Sequence, residues 1–138
     1  MNQLSILIPT YNKVCLELVK NLQAQASLLP YFEYEILVAD DGSTDKTTVE
    51  NNCNINKLPH CSYIEREKNV GRSAIRNFLA KEAKYEWLLF IDSDLHIDNT
   101  DFVKKYSLAE GKIIVGGLKI GGNPQTLVNN LRYQYEKA

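Results

Sequence analysis

The sequence predicts one α/β domain built on a mostly parallel sheet, with helices on both faces. Short apolar runs alternate with segments in which apolar residues recur at helical spacing. The runs are apolar at nearly every position, as strands covered by helices on both sides require. The chain has 138 residues, of which 44% are hydrophobic, and no Pro/Gly-rich linker divides it. We therefore expect a single domain over residues 1–138.

The first half of the chain alternates between the two patterns. Pro9 ends the first apolar run, and a Gly-Ser turn separates the second run from a short polar helix. A weaker strand follows. Strands are expected over residues 4–8, 35–39 and 62–65, and helices over residues 14–26 and 46–52.

The second half continues the alternation. Ile75, Phe78 and Leu79 lie on one apolar face of a predicted helix, and an unbroken apolar run follows it. Helices are expected over residues 71–83, 101–110 and 123–136, and strands over residues 87–91 and 113–118.

Composition excludes several classes of protein. Sixteen Lys and Arg against seventeen Asp and Glu leave a net charge of -1, so nucleic acid is not an expected partner. The apolar runs are too short for a transmembrane segment and no leader precedes them, which favours a cytoplasmic protein. Three cysteines without a C-x-x-C pair indicate reduced, mostly packed thiols. The oligomeric state stays open. An uncovered sheet edge would favour a homo-oligomer.

Polar residues cluster directly after four of the predicted strands. In open parallel sheets, ligands bind outside the carboxyl ends of the strands, so we expect these clusters to converge in space. They are Pro9–Asn12, Asp40–Ser43, Asn69–Gly71 and Asp92–Asp94.

Asp92 and Asp94 form a D-x-D pair after five apolar residues. Two close carboxylates repel each other, and a hard divalent cation relieves that repulsion. Two ligands are too few for a complete protein cage, which suits Mg²⁺ or Mn²⁺ shared with substrate phosphates. The structural alternative is that Asp92 caps a turn and Asp94 is solvated.

Most of the segment 40–45 has a structural explanation. Gly42 supplies a turn, Ser43 or Thr44 caps the next helix, and Asp45 suits its first turn. This leaves Asp40, which ends the strand, as the candidate ligand contact. The segment Pro9–Asn12 is either a strand terminator followed by a helix cap or a loop in which Tyr11 offers a ring on which a base stacks.

Arg72 and Arg76 lie four residues apart near the start of a predicted helix, where repulsion and the helix dipole both oppose them. The pair indicates an anionic neighbour, and for Arg72 we favour an acidic side chain of the protein itself.

Together these residues resemble the donor-binding half of a family 2 glycosyltransferase with the GT-A fold, a Rossmann-like nucleotide-diphospho-sugar transferase fold. The resemblance depends on four motifs in the family's order: SILIPTYN (5–12), VADDGSTD (38–45), NVGRSAIRN (69–77) and LLFIDSD (88–94). Beyond residue 98 the similarity is only general.

The resemblance implies a role for each matching position. Pro9, Thr10 and Tyr11 would line a nucleobase pocket, Asp40 would bond the base, and Asn69 and Gly71 would border the nucleotide. Arg76 would order this region, Asp92 would lie near the ribose and metal, and Asp94 would ligate the ion.

The resemblance also implies the reaction. Members invert the anomeric centre of a UDP-, GDP- or dTDP-sugar donor, and a carbohydrate or lipid-linked acceptor would serve polysaccharide biosynthesis. The family's general base is acidic and lies well beyond the D-x-D motif. Only 44 residues follow Asp94, so we expect a chain truncated in its C-terminal part, with the catalytic base beyond residue 138 and little turnover.

Residues 95–98 depart from the family pattern, which has an acidic residue and then a proline here. His96 could add a metal ligand, although an exposed, uninvolved histidine is the simpler interpretation.

Two other interpretations compete with the transferase. An apolar strand ending in D-x-D also fits a haloacid-dehalogenase-like phosphatase, with Asp92 as nucleophile. A non-enzymatic phospho-receiver or nucleotide-binding module would use the acidic residues with Lys119, although its acidic pair should follow the first strand.

Overall fold

A computed structural model describes residues 2–108 and 113–115, and it contains a five-stranded sheet. The strand order is β3-β2-β1-β4-β5, and every neighbouring pair is parallel. The strands are β1 (Gln3–Thr10), β2 (Glu33–Asp41), β3 (Cys61–Arg66), β4 (Leu88–Phe90) and β5 (Ile113–Val115). This confirms the predicted α/β class with a parallel sheet.

Helices connect successive strands, as parallel pairing requires. They are α1 (Leu16–Ser27), α2 (Lys46–Cys53), α3 (Arg72–Glu82) and α4 (Phe102–Ser107), with a 3₁₀ helix over Asn54–Lys57. The predicted strand 87–91 shortens to three residues and β2 is longer than predicted. Residues 123–136, where a further helix is predicted, lie outside the described residues.

The two faces of the sheet pack against different helices. On one face α1 places Val19 and Leu22 against Ile6 and Ile36, and all four side chains are fully buried. On the other face Leu79 of α3 packs with residues of the three central strands, among them Leu7, Leu37 and Phe90. Alternate residues of each strand therefore face opposite layers.

The start of α2 differs from the prediction in its capping residue. Asp45 is the N-cap, since its carboxylate accepts the backbone N–H of Thr47 at 3.3 Å and the hydroxyl of Thr48 at 2.7 Å. Ser43 and Thr44 accept hydrogen bonds from Asn12 instead. The N-terminal helix donors are thus met by a carboxylate, which also suits the helix dipole.

The cysteines are free, with Cys15 and Cys61 buried and Cys53 exposed. Burial raises the pKa of the Cys15 and Cys61 thiols to about 12, which suits packed, protonated thiols. Within the described ranges, no helix has the length and apolar character needed to cross a membrane.

The turn after β2 packs directly on the loop before α3. Gly42 has φ +76°, and a Cβ there would lie 2.6 Å from the backbone nitrogen of Asn69 and 2.8 Å from the carbonyl carbon of Lys68. Both the conformation and the contact require glycine. Gly42 thus fixes the distance between two of the loops that carry the candidate site.

We expect Gly42→Ala to lower the free energy of unfolding by about 3 kcal/mol, because it combines left-handed strain with a backbone clash. Urea denaturation measures the change. Exposed Lys46 lies four residues further on, so Lys46→Ala is the control and should change stability by less than about 0.5 kcal/mol. Equal stability of the alanine variant at position 42 and the wild type would contradict the packing described.

Candidate functional site

A cleft of about 640 Å³ opens at the carboxyl ends of β1, β2 and β4. All four polar clusters predicted from the sequence contribute to it, because parallel strands bring their following loops to the same edge. Its lining consists of Pro9, Thr10, Tyr11, Lys13, Asp41, Asn69, Gly71, Arg72, Ile75, Arg76, Asp92, Ser93 and Asp94.

Asp40 is the predicted site residue that the cleft does not include. It is fully buried and lies on the side of β2 that carries Ile36 and Val38, which face α1. Asp41 points the other way, with Leu37 and Ala39, and lines the cleft. Of the two neighbours, Asp41 is therefore the one whose carboxylate lines the cleft, and the ligand contact expected of Asp40 stays a prediction.

Asp40 instead supports the turn that follows it. One carboxylate oxygen accepts the backbone N–H of Ser43 at 2.7 Å, and the other accepts the hydroxyl of Tyr63 on β3. Burial, together with the hydrogen bond and the negative charge of Asp40, raises the pKa of Tyr63. Tyr63 therefore stays a hydrogen-bond donor to the buried carboxylate.

Asp41 organises the loop between β3 and α3. Its two oxygens accept the backbone N–H groups of Val70 at 2.8 Å and Gly71 at 3.0 Å. Gly71 has φ 94° and is the N-cap of α3. A carboxylate at this helix start stabilises otherwise unpaired backbone donors and holds Asn69 and Gly71 against the cleft.

The two arginines of α3 converge on Asp92. The Arg76 Nη2 lies 3.3 Å from Asp92 Oδ1 and the Arg72 Nη2 lies 3.9 Å from the same atom. The Arg76 side chain is only 11% exposed, whereas that of Arg72 is 67% exposed. The anionic neighbour predicted for this pair is Asp92, and the ion pairs join α3 to the loop after β4.

Asp94 lines the cleft and is exposed. Hard oxygen ligands in a cleft fit Mg²⁺ or Mn²⁺, and Asp92 and Asp94 supply two carboxylates. Among the described residues no group of three or more His, Cys, Asp or Glu could hold a metal ion. The cation that the sequence analysis assigned to Asp92 and Asp94 stays a prediction.

Five residues of the cleft lie outside the predicted site: Lys13, Asp41, Arg72, Ile75 and Ser93. Asp41 and Ser93 lie inside two of the predicted clusters, and Lys13 and Arg72 directly follow the other two, so their position in the sequence was the signal that could have found them. His96 does not line the cleft, and its Nε2 lies 2.9 Å from Asp98.

Comparison with known proteins assigns the chain to a family. Residues 5–131 match the family described as glycosyl transferase family 2. The chain belongs to glycosyl transferase family 2, and this excludes the phosphatase and receiver alternatives.

Two curated relatives modify poly(ribitol-phosphate), according to their names. The chain is 36% identical over 123 residues to a poly(ribitol-phosphate) beta-glucosyltransferase of Bacillus spizizenii strain W23, covering 85% of this chain and 19% of that protein. It is 34% identical over 118 residues to the beta-N-acetylglucosaminyltransferase TarS of Staphylococcus aureus strain Mu50, covering 83% and 19%. The chain spans about a fifth of the length of either relative.

Solved structures agree with the fold. Residues 1–349 of S. aureus TarS in complex with UDP-GlcNAc match 87% of this chain and 37% of that chain, with a TM-score of 0.62 and 31% identity. A mannosyltransferase from Pyrobaculum calidifontis, in complex with GDP-Man and Mn²⁺, has a TM-score of 0.59 and 21% identity over 72% of this chain and 30% of that chain. This second likeness shows the fold alone.

Tyr63→Phe should lower the free energy of unfolding by about 1–3 kcal/mol, because it leaves a buried carboxylate with one donor fewer. The matched control is Tyr34→Phe, whose buried ring has a hydroxyl bonded to the neutral side chains of Ser27 and Gln23. That loss should be smaller, about 0.5–1.5 kcal/mol. Urea denaturation of both variants tests the ranking, and a larger loss for Tyr34→Phe would contradict it.

Proposed function

We propose that this chain forms the donor-binding part of a glycosyltransferase that takes a UDP-sugar and inverts its anomeric centre. The observation that carries the proposal is the convergence of four separate loops on one cleft whose lining includes the aromatic ring of Tyr11 and the aspartates 92 and 94. The TarS complex with UDP-GlcNAc supports the choice of nucleotide.

The aromatic side of the cleft suits a nucleobase. Tyr11 is 47% exposed and lines the cleft beside Pro9, so its ring has a free face for stacking. In the same cleft, Asp41 and the backbone around Asn69 and Gly71 offer polar groups to the base and ribose. In this proposal Asp41 takes the ligand contact that the sequence assigned to Asp40.

The charge of the cleft supports a divalent cation. Lys13, Arg72 and Arg76 balance Asp41, Asp92 and Asp94 among the lining residues, so the side chains alone offer no net positive charge to a diphosphate. Asp94, with Asp92, would hold Mn²⁺ or Mg²⁺, whose charge would stabilise the diphosphate leaving group. Arg76 holds Asp92 in place from α3.

The names of the curated relatives support a class of acceptor. Both act on poly(ribitol-phosphate) according to their names, and we extend this to the present chain as a polyol-phosphate polymer. The three acidic residues of the described cleft lining have other roles here, so the general base is not assigned to Asp41, Asp92 or Asp94. Both relatives are named as beta-transferases, which supports inversion.

We expect UDP-GlcNAc with Mn²⁺ to raise the melting temperature, since a ligand at 100 times its Kd stabilises the folded state by about 2.7 kcal/mol. Asp94→Asn keeps the shape but removes the charge, and it should abolish the part of the shift that needs Mn²⁺.

Asp98→Asn is the matched control, since exposed Asp98 lies four residues away, contacts His96 and does not line the cleft. It should retain the full shift in the same thermal-shift assay. A metal-dependent shift that survives in Asp94→Asn would overturn the metal assignment. Absence of any shift in the wild type with UDP-, GDP- and dTDP-sugars would overturn the proposed function.

A further inference from the structure

Asn12 lies between two residues of the cleft but does not line it. Tyr11 and Lys13 both belong to the lining, whereas Asn12 turns away toward the loop between β2 and α2. Its φ is 51°, a left-handed conformation that asparagine adopts more readily than most residues. This conformation sets the direction in which the chain leaves Tyr11.

Four hydrogen bonds join Asn12 to the loop between β2 and α2, called the second loop below. Its backbone N–H donates to the Ser43 hydroxyl at 2.7 Å, and its Nδ2 donates to Thr44 Oγ1 at 3.2 Å. Its Oδ1 accepts the backbone N–H groups of Thr44 at 2.8 Å and Asp45 at 3.1 Å. The Asn12 side chain thus bonds to Thr44 and Asp45, and its backbone N–H bonds to Ser43, across 31 to 33 positions of sequence.

The second loop is itself fixed on its other sides. The Asp40 carboxylate, at the end of β2, accepts the N–H of Ser43, and Gly42 packs against the backbone of Asn69. Tyr11 is half exposed and has no comparable anchor of its own among the described contacts. The same loop is also held at Lys13, whose carbonyl accepts hydrogen bonds from the Thr10 hydroxyl at 3.1 Å and from Asn52 Nδ2 at 2.9 Å. The four bonds of Asn12 are those that join Tyr11 to the loop between β2 and α2, which carries Asp41 at its start.

We propose that Asn12 is a positioning residue that holds Tyr11 at the stacking distance for the nucleobase without touching the donor. This inference rests on the proposed function and deepens it. Preorganising the aromatic wall reduces the ordering cost of binding, so its effect should fall on the base and not on the diphosphate. The Asn12 side chain would accordingly affect UDP binding but leave pyrophosphate binding unchanged.

The test compares UDP with inorganic pyrophosphate, each with Mn²⁺, by isothermal titration calorimetry. Asn12→Gly keeps the left-handed backbone and removes the side chain. We expect about tenfold weaker UDP binding, as loss of one or two net hydrogen bonds would produce, and unchanged pyrophosphate binding. Asn12→Asp retains the acceptor oxygen beside the start of α2 and should restore most of the UDP affinity.

Tyr31→Gly is the matched control, because Tyr31 also has a left-handed φ of 56° but is 98% exposed in the loop before β2. It should bind UDP like the wild type. Thermal melting of each variant separates a loss of fold from a loss of positioning. If Asn12→Gly does not fold, Ser43→Ala replaces it, since this change removes the acceptor for the Asn12 N–H and should weaken UDP binding selectively.

Each outcome decides the proposal. A selective loss of UDP affinity in Asn12→Gly or Ser43→Ala, with recovery in Asn12→Asp, supports it. Equal loss for UDP and pyrophosphate, or no loss in a folded variant, overturns the positioning role while the proposed function stands. Failure of the wild type to bind UDP, GDP or dTDP with Mn²⁺ overturns both.

Discussion

The adjacent carboxylates that end β2 are the constraint on which the cleft depends. Asp40 faces the α1 layer and accepts the N–H of Ser43, whereas Asp41 faces the α3 layer and accepts the N–H groups of Val70 and Gly71. Loops at the end of a sheet leave backbone donors without strand partners, and such donors are costly when buried. Asp40 accepts such a donor from the loop between β2 and α2, and Asp41 accepts two from the loop between β3 and α3. The end of one strand therefore fixes the shape of two loops.

The other loops attach to this frame by different interactions. The loop after β1 is joined through Asn12, and the loop after β4 is joined through the ion pairs of Asp92 with Arg72 and Arg76. The ion pairs are partly solvent-exposed, so their net contribution to stability is small. Their effect is to place Asp92 beside α3, next to the exposed Asp94.

Most of the fold was predictable because its signals are local. Helical spacing of apolar residues identified α1 and α3, and continuous apolar runs identified the buried parallel strands. Strand ends were less accurate, as with the three-residue β4, because hydrogen-bond pairing and not hydrophobicity ends a strand. The capping of α2 by Asp45 was missed because Ser43 and Thr44 offered capping hydroxyls in the same segment, and the bonds that these hydroxyls accept come from Asn12, more than 30 residues earlier.

The sequence by itself determined the class of fold, the order of the elements and the four clusters that meet at one sheet edge. It also placed Asp92 and Asp94 in one of these clusters, because both directly follow an apolar strand. Only the tertiary structure decided between Asp40 and Asp41. Both faces of β2 are buried, so the strand carries no alternation of apolar and polar residues, and only the packing of α1 and α3 decides which carboxylate faces the cleft.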